Sequence, residues 1–414
     1  MTAACPVASA ILPVSCEATT SRNPLIACSR ESPGGLISAG VRKAIVLGAA
    51  VAALSLSGCG SSSSTTATHP AAPKDFFGVD PGTAADAEDF QQMADAGVES
   101  VRSGLNWSSV QPQPGEFNWT VPDGMVGRLA ANGIGFLPVL ASAPGWISPQ
   151  NTVPPLENSE AEDRWTAFLT AAVERYGPGG AFWQPSSNGG PSPFHALCQC
   201  DADPMPITYW QVWNEPSLSH YFTVSSPVES YAKLLQISHD AITSQDPHAQ
   251  IVLAGVPGFA RKGGLTAWQF LDDLFRIPGT NGDFDVAALH PYARDVDQLK
   301  FELDKVQGVM KENGDVAKPL WITELGWGSD PPDRFGLNQG IQGQEQLLTQ
   351  AFSLLLRERT TWNLDRVYWF EWRDPPPTQE VACSFCSSAG LLQNDRKPKP
   401  SYDAFTHFTL GAGD

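Results

Sequence analysis

Apolar positions along this chain follow two rhythms. Short runs rich in β-branched and aromatic residues fall at 76–80 (FFGVD), 100–107 (SVRSGLNW), 134–141 (IGFLPVLA), 209–215 (YWQVWNE), 250–256 (QIVLAGV), 284–290 (FDVAALH), 319–325 (PLWITEL) and 366–372 (RVYWFEW). Each is short and nearly continuous in apolar residues, as expected of a strand buried on both faces. Between them lie windows with helical spacing at 84–96, 122–132, 160–176, 229–245, 265–276, 296–312 and 340–358, and a last one at 401–409. Strict alternation of the two forces parallel strands, and eight such units can close into a barrel. The expected fold is α/β, a single (β/α)8 TIM barrel over 75–412 with long loops. A doubly wound open sheet would be expected to carry a glycine-rich phosphate turn after its first strand, and "GVDPGTAAD" is not one.

The residues before the barrel follow neither rhythm. Arg42 and Lys43 precede an apolar run from Ala44 to Leu56, too short to span a bilayer and ordered like a secretory signal. The run ends in "LSGC", which resembles the bacterial lipobox. That resemblance implies lipidation of Cys59, removal of the signal at 41–58, and an extracytoplasmic protein anchored to a bacterial membrane or cell surface. Residues 59–74, rich in Ser, Thr, Pro and Ala, read as a flexible tether. Residues 1–40 do not fit a signal and read as a doubtful extension ahead of a translation start near Val41.

Composition narrows the partners. At 42% hydrophobic and 17% charged the chain is globular, and a formal charge of −18 excludes nucleic acid as a partner. Of eight Cys, Cys5, Cys16 and Cys28 fall in the extension. "CQC" (Cys198, Cys200) and "CSFC" (Cys383, Cys386) have the wrong spacing for a common structural zinc site, and the expected compartment is oxidising. Four Cys permit three disulfide connectivities. "CSFC" follows strand eight at the top of a barrel, whereas "CQC" precedes strand four at the bottom. That geometry favours local pairs, Cys383–Cys386 above all, with Cys198–Cys200 the tighter closure.

Candidate chemistry stands at the strand ends. Strand four runs out into "WNEP" and strand seven into "TELGW", setting Glu215 and Glu324 on one rim of the barrel. Two carboxylates there suit glycosidic bond cleavage, one protonated to assist the leaving oxygen and one ionised to meet the oxocarbenium-like centre. "WNEP" and "TELGW" in these places resemble the signatures of glycoside hydrolase clan A. "WQVWNEP" is most similar to family 39, with family 5 the next neighbour.

The resemblance implies a retaining glycosidase acting on a poly- or oligosaccharide, with Glu215 as acid/base and Glu324 as nucleophile. It requires no metal and no organic cofactor. It further implies that Arg102 on strand two keeps the nucleophile ionised and that Asn214 binds the substrate's 2-hydroxyl. His290 and Tyr292 in "LHPYA" belong to the site, Tyr292 touching the nucleophile. Trp369 or Trp372 would floor the cleaved-sugar subsite, with Trp146, Trp107 and Trp327 as further platforms. Glu371 is a decoy close to the same rim, and Asp80 and Asp374 read as loop caps or hydroxyl contacts. The competing readings are a non-catalytic sugar-binding lipoprotein, which needs no matched carboxylates, and a transglycosidase on the same barrel.

Overall fold

A computed structural model of the protein describes residues 71–82, 85–259, 264–381 and 383–411, all within the compact unit Thr66–Asp414. The extension, the signal segment, Cys59 and the tether up to residue 70 lie outside the described residues.

Nine strands form one sheet: β1 Phe77–Asp80, β2 Ser100–Asn106, β3 Gly135–Ala141, β4 Tyr209–Val212, β5 Gln250–Val252, β6 Val256–Pro257, β7 Ala287–His290, β8 Leu320–Leu325 and β9 Leu364–Phe370. Their order is β5-β4-β3-β2-β1-β9-β8-β7-β6, and every pairing is parallel. The two outermost strands, β5 and β6, are separated in the chain only by residues 253–255 and stand for one interrupted strand. Asp285 N donates to Ile251 O (2.8 Å) and Leu253 N to Val286 O (2.9 Å), so β5 also bonds to the run entering β7. The sheet is therefore curled, TIM-like, with its ends drawn together.

The strands are apolar because both of their faces are covered. All six residues of β8 and all four of β7 are buried. Helices intervene between the strands, and several begin with a side-chain cap. Before helix Ala87–Asp95, Asp86 accepts from the backbone of Glu88 and Asp89, and the Asp89 side chain accepts from Asp86 N in return. Beyond that cap, Asp89 turns inward to a bidentate contact with Arg373, at 2.9 and 2.8 Å. This buried ion pair ties the end of the last strand to the first helix. Both Cys198–Cys200 and Cys383–Cys386 are disulfide-bonded.

Candidate active site

Glu215 sits just beyond β4, and the backbone explains why the strand stops. Trp213 and Glu215 adopt φ of 68° and 44°, the left-handed region that non-glycine residues rarely occupy. The turn is held by Trp213 N donating to Leu140 O (2.9 Å) and Glu215 N to Gly255 O (3.2 Å). Glu324 projects from within β8. The two carboxylates each offer an oxygen within 4.8 Å of the other.

Arg102, 2% exposed on β2, organises the surroundings of Glu324. Its Nη1 donates to Glu324 Oε1 (2.6 Å) and Asp80 Oδ2 (2.8 Å), its Nη2 to Asn214 Oδ1 (2.6 Å) and its Nε to Gln211 Oε1 (2.7 Å). A buried guanidinium survives only with such a full set of acceptors. Tyr292 Oη donates to Glu324 Oε2 (2.5 Å). His290, fully buried, bridges the pair: Nδ1 lies 2.9 Å from Glu215 Oε1 and 3.5 Å from Glu324 Oε2, and Nε2 is 3.0 Å from Thr323 Oγ1. Space for that ring comes from Gly255, where a β-carbon would stand 1.9 Å from His290 Nε2 and 2.6 Å from Thr323 Oγ1.

The two glutamates have unlike acidities. Burial pushes the Glu215 carboxyl above its ordinary value, aided by the Glu324 charge and only partly offset by His290. Burial pushes Glu324 upward too. The neighbouring His290, the Arg102 guanidinium and the hydrogen bonds from Tyr292 and Arg102 outweigh that and hold it below. Nearby, burial and the Glu324 charge raise Asp80 to about 6 against the pull of Arg102. Burial, with Asp80 and Asp374 close by, raises Glu371 to about 9.

Two cavities open beside the pair. One of about 860 Å³ is lined by Asp80, Arg102, Asn214, Glu324, Phe370 and Glu371, among others. The other, about 620 Å³, reaches Glu215, Tyr292, Glu324 and Phe370. Glu215, His290 and Glu324 are the three-donor cluster that could hold a cation among the described residues. Both Glu324 oxygens and both His290 ring nitrogens already have protein partners in Arg102, Tyr292, Glu215 and Thr323.

The arrangement agrees with what the chain is similar to. The family model described as the glycosyl hydrolase catalytic core matches residues 181–395, which include both glutamates. The chain belongs to the glycosyl hydrolase catalytic core family. A β-galactosidase family model matches residues 82–164 of this glycosyl hydrolase. No curated protein matches it. Among solved structures it is similar to a family 39 glycoside hydrolase from the gut symbiont Bacteroides cellulosilyticus WH2, at TM-score 0.58 and 20% identity. That match covers 82% of this chain and 64% of the Bacteroides one. A monomeric β-xylosidase from Caulobacter crescentus CB15 matches at TM-score 0.58 and 18% identity, over 83% of this chain and 70% of that one. A family 5 enzyme from Bifidobacterium longum, in complex with Manβ1-4GlcNAc, follows at TM-score 0.56 and 14% identity, over 81% and 78%. These likenesses are of fold.

In this glycosidase Glu215, Glu324, Arg102, Asn214, His290 and Tyr292 come together. The tryptophans do not. Trp369 and Trp372 are wholly buried and line neither cavity; Trp369 packs on Trp327 and Phe352, and Trp372 on Tyr402. Trp146 is also off the cavities, packing edge-on to Trp107 and donating to Gln111 O (2.9 Å). Trp107 and Trp327 are core residues, so the expected platforms are packing instead. Phe370 and Tyr221 are aromatic side chains that line both cavities.

Asp80 partners Arg102 and caps Gly82 N, at 3.0 Å. Asp374 accepts from Lys399 (2.7 Å) and Gly390 N (2.9 Å). Glu371 lines the larger cavity. Gln211 is a further member of the site, and a polar residue inside the buried run "YWQVW" is itself a signal for it. It holds Arg102 and reaches Leu253 O (2.9 Å) and Thr323 Oγ1 (3.3 Å).

Proposed function

We propose that the enzyme hydrolyses O-glycosidic bonds by double displacement on a (β/α)8 barrel, with Glu324 as nucleophile and Glu215 as general acid/base. The supporting observation is a pair of carboxylates with oxygens within 4.8 Å, one environment favouring the proton and the other the charge. Retaining enzymes hold their carboxyl groups about 5 Å apart, whereas inverting ones leave about 6.5–9.5 Å for a water.

In the first step Glu324 attacks the anomeric carbon while Glu215 gives its proton to the departing oxygen. In the second, Glu215, now ionised, takes a proton from water as that water displaces Glu324. Arg102 and Tyr292 keep the nucleophile charged between turnovers, and Asn214 faces the cavity where a 2-hydroxyl would lie.

Proton NMR of the first product anomer tests the stereochemistry, with retention expected. A 2-deoxy-2-fluoro glycoside should leave a stable adduct on the peptide containing Glu324. Inversion, or a label elsewhere, would overturn the reading. On the same reading the enzyme works outside the cytoplasm, held by a lipid on Cys59. Palmitate labelling that persists in Cys59→Ala would remove that part.

A further inference from the structure

The two cavities flank the carboxylates unequally. Glu324 and Phe370 line both, but Glu215 lines only the smaller. A general acid serves the leaving-group oxygen and stands on that side of the bond. Granted the roles proposed above for the two glutamates, on which this inference rests, the smaller cavity receives the leaving group and the larger one the sugar.

The walls of the smaller cavity are chiefly hydrocarbon. Leu218, Pro257, Phe259, Phe335, Leu337 and Phe385 line it. Tyr292, Phe385 and Ala389 form an apolar cluster separate from the main core, with Phe259, Leu337, Phe370 and both Cys of the Cys383–Cys386 disulfide packed on it. Its rings lie close: Tyr292 to Phe385 at 5.1 Å, Tyr292 to Phe370 at 6.2 Å and Phe370 to Phe385 at 6.3 Å between centroids. Phe335 leaves 60% of its surface open to water.

The wall also holds Asn214, His220, Tyr221, Arg294, Gln298 and Ser384, and several of its polar side chains are engaged with the protein. Tyr292 donates to Glu324, Gln298 Nε2 to Glu302 Oε1 (2.8 Å) and Arg294 Nε to Asp295 Oδ2 (3.1 Å). A sugar ring brings several hydroxyls, each costly to bury without a partner. An alkyl or aryl group brings none and gains from every carbon covered. The larger cavity has more charged groups in its wall, with Asp80, Arg102 and Glu371 beside the shared Asn214 and Glu324.

We propose that the smaller cavity is an apolar leaving-group site and that the enzyme acts on glycosides of hydrocarbon or aromatic alcohols in preference to sugar chains.

Aryl glycosides of xylose, glucose, galactose and mannose first identify the sugar by turnover. For each sugar, binding of the methyl, butyl and hexyl glycosides to the Glu324→Gln protein is measured by calorimetry. Turnover of the same ladder, a benzyl glycoside and the β-1,4-linked disaccharide is measured on the wild type. Affinity and kcat/KM should climb about fourfold per methylene until the cavity fills. The hexyl or benzyl glycoside should outrun the disaccharide, the arm that responds telling an alkyl from an aryl preference. Phe335→Ser, at an exposed position, should flatten the climb. A flat ladder in both readouts, or a disaccharide preferred over the hexyl and benzyl glycosides, would overturn the apolar site and leave the hydrolase standing. A ladder in binding with no glycoside turned over would uphold the pocket and overturn the hydrolase.

Discussion

Arg102 and Glu324, 222 residues apart in the chain, meet with Nη1 2.6 Å from Oε1. The same guanidinium holds Asp80, Asn214 and Gln211. One side chain from β2 thus joins Glu324 in β8 to the turn that carries Glu215. Tyr292 approaches Glu324 from the other oxygen.

Replacing either donor should move the pH profile. Without the cation of Arg102, or without the Tyr292 hydroxyl, Glu324 loses part of what opposes its burial and its proton leaves at higher pH. The acid limb of kcat/KM should therefore shift upward in Arg102→Met, by about one to three pH units, and by less in Tyr292→Phe. An unmoved acid limb in both variants would assign the limb to another group.

Kinetics should separate the two glutamates. Glu215→Gln should slow glycosides with poor leaving groups by about 10²–10⁴-fold, while aryl glycosides with acidic leaving groups lose far less in the first step. Glu324→Gln should be inactive toward both. Equal, mild losses in the two variants would show that other carboxylates do the work. Pre-steady-state measurements on an aryl glycoside make the comparison.

The fold and this cluster were legible in the chain to different depths. Helices Val296–Glu312 and Gly340–Glu358 have the bounds their periodicity predicts, because amphipathic spacing is a local property. Glu215 and Glu324 could be found because strand ends and paired acidic motifs are also local. The end of β4 could not: it stops at Val212 where Trp213 and Glu215 turn left-handed, a conformation no residue type there announces. In "YWFEW" every position but one is aromatic, so composition could not tell cavity-facing Phe370 from buried Trp369 and Trp372. That distinction is made by what packs behind β9, which lies far away in sequence. The interruption between β5 and β6 has the same origin, since it answers to the imidazole of β7.

Glu371 should make stability depend on pH. Folded, it keeps its proton up to about 9, against an ordinary value of 4.5. Between those values the native state binds more protons than the unfolded one, so stability is greatest at the acid end and falls as pH rises. The melting temperature should drop by several degrees between about pH 5 and pH 8, and Glu371→Gln should flatten that slope. A wild-type melting temperature that rises over the interval would contradict the assignment.

The Arg373–Asp89 pair should be structural. Asp89 is fully buried and Arg373 nearly so, and removing Asp89 leaves the buried guanidinium without its carboxylate. Asp89→Ala is expected to cost about 3–5 kcal/mol in urea unfolding. The Michaelis constant of whatever folded enzyme remains should be unchanged, and a shift in it with intact stability would mean that the pair serves the cleft.

The gap left for His290 has a bearing on reading natural variants. Position 255 bears no charge, touches no sugar in the proposed mechanism and would be passed over in any census of reactive groups. Yet exchanging one hydrogen for a methyl there would evict the imidazole that spans both glutamates. Relatives that carry a larger residue at this point are therefore candidates for lost or altered chemistry even where both acids persist, and the smallest side chain is as diagnostic as the acids themselves.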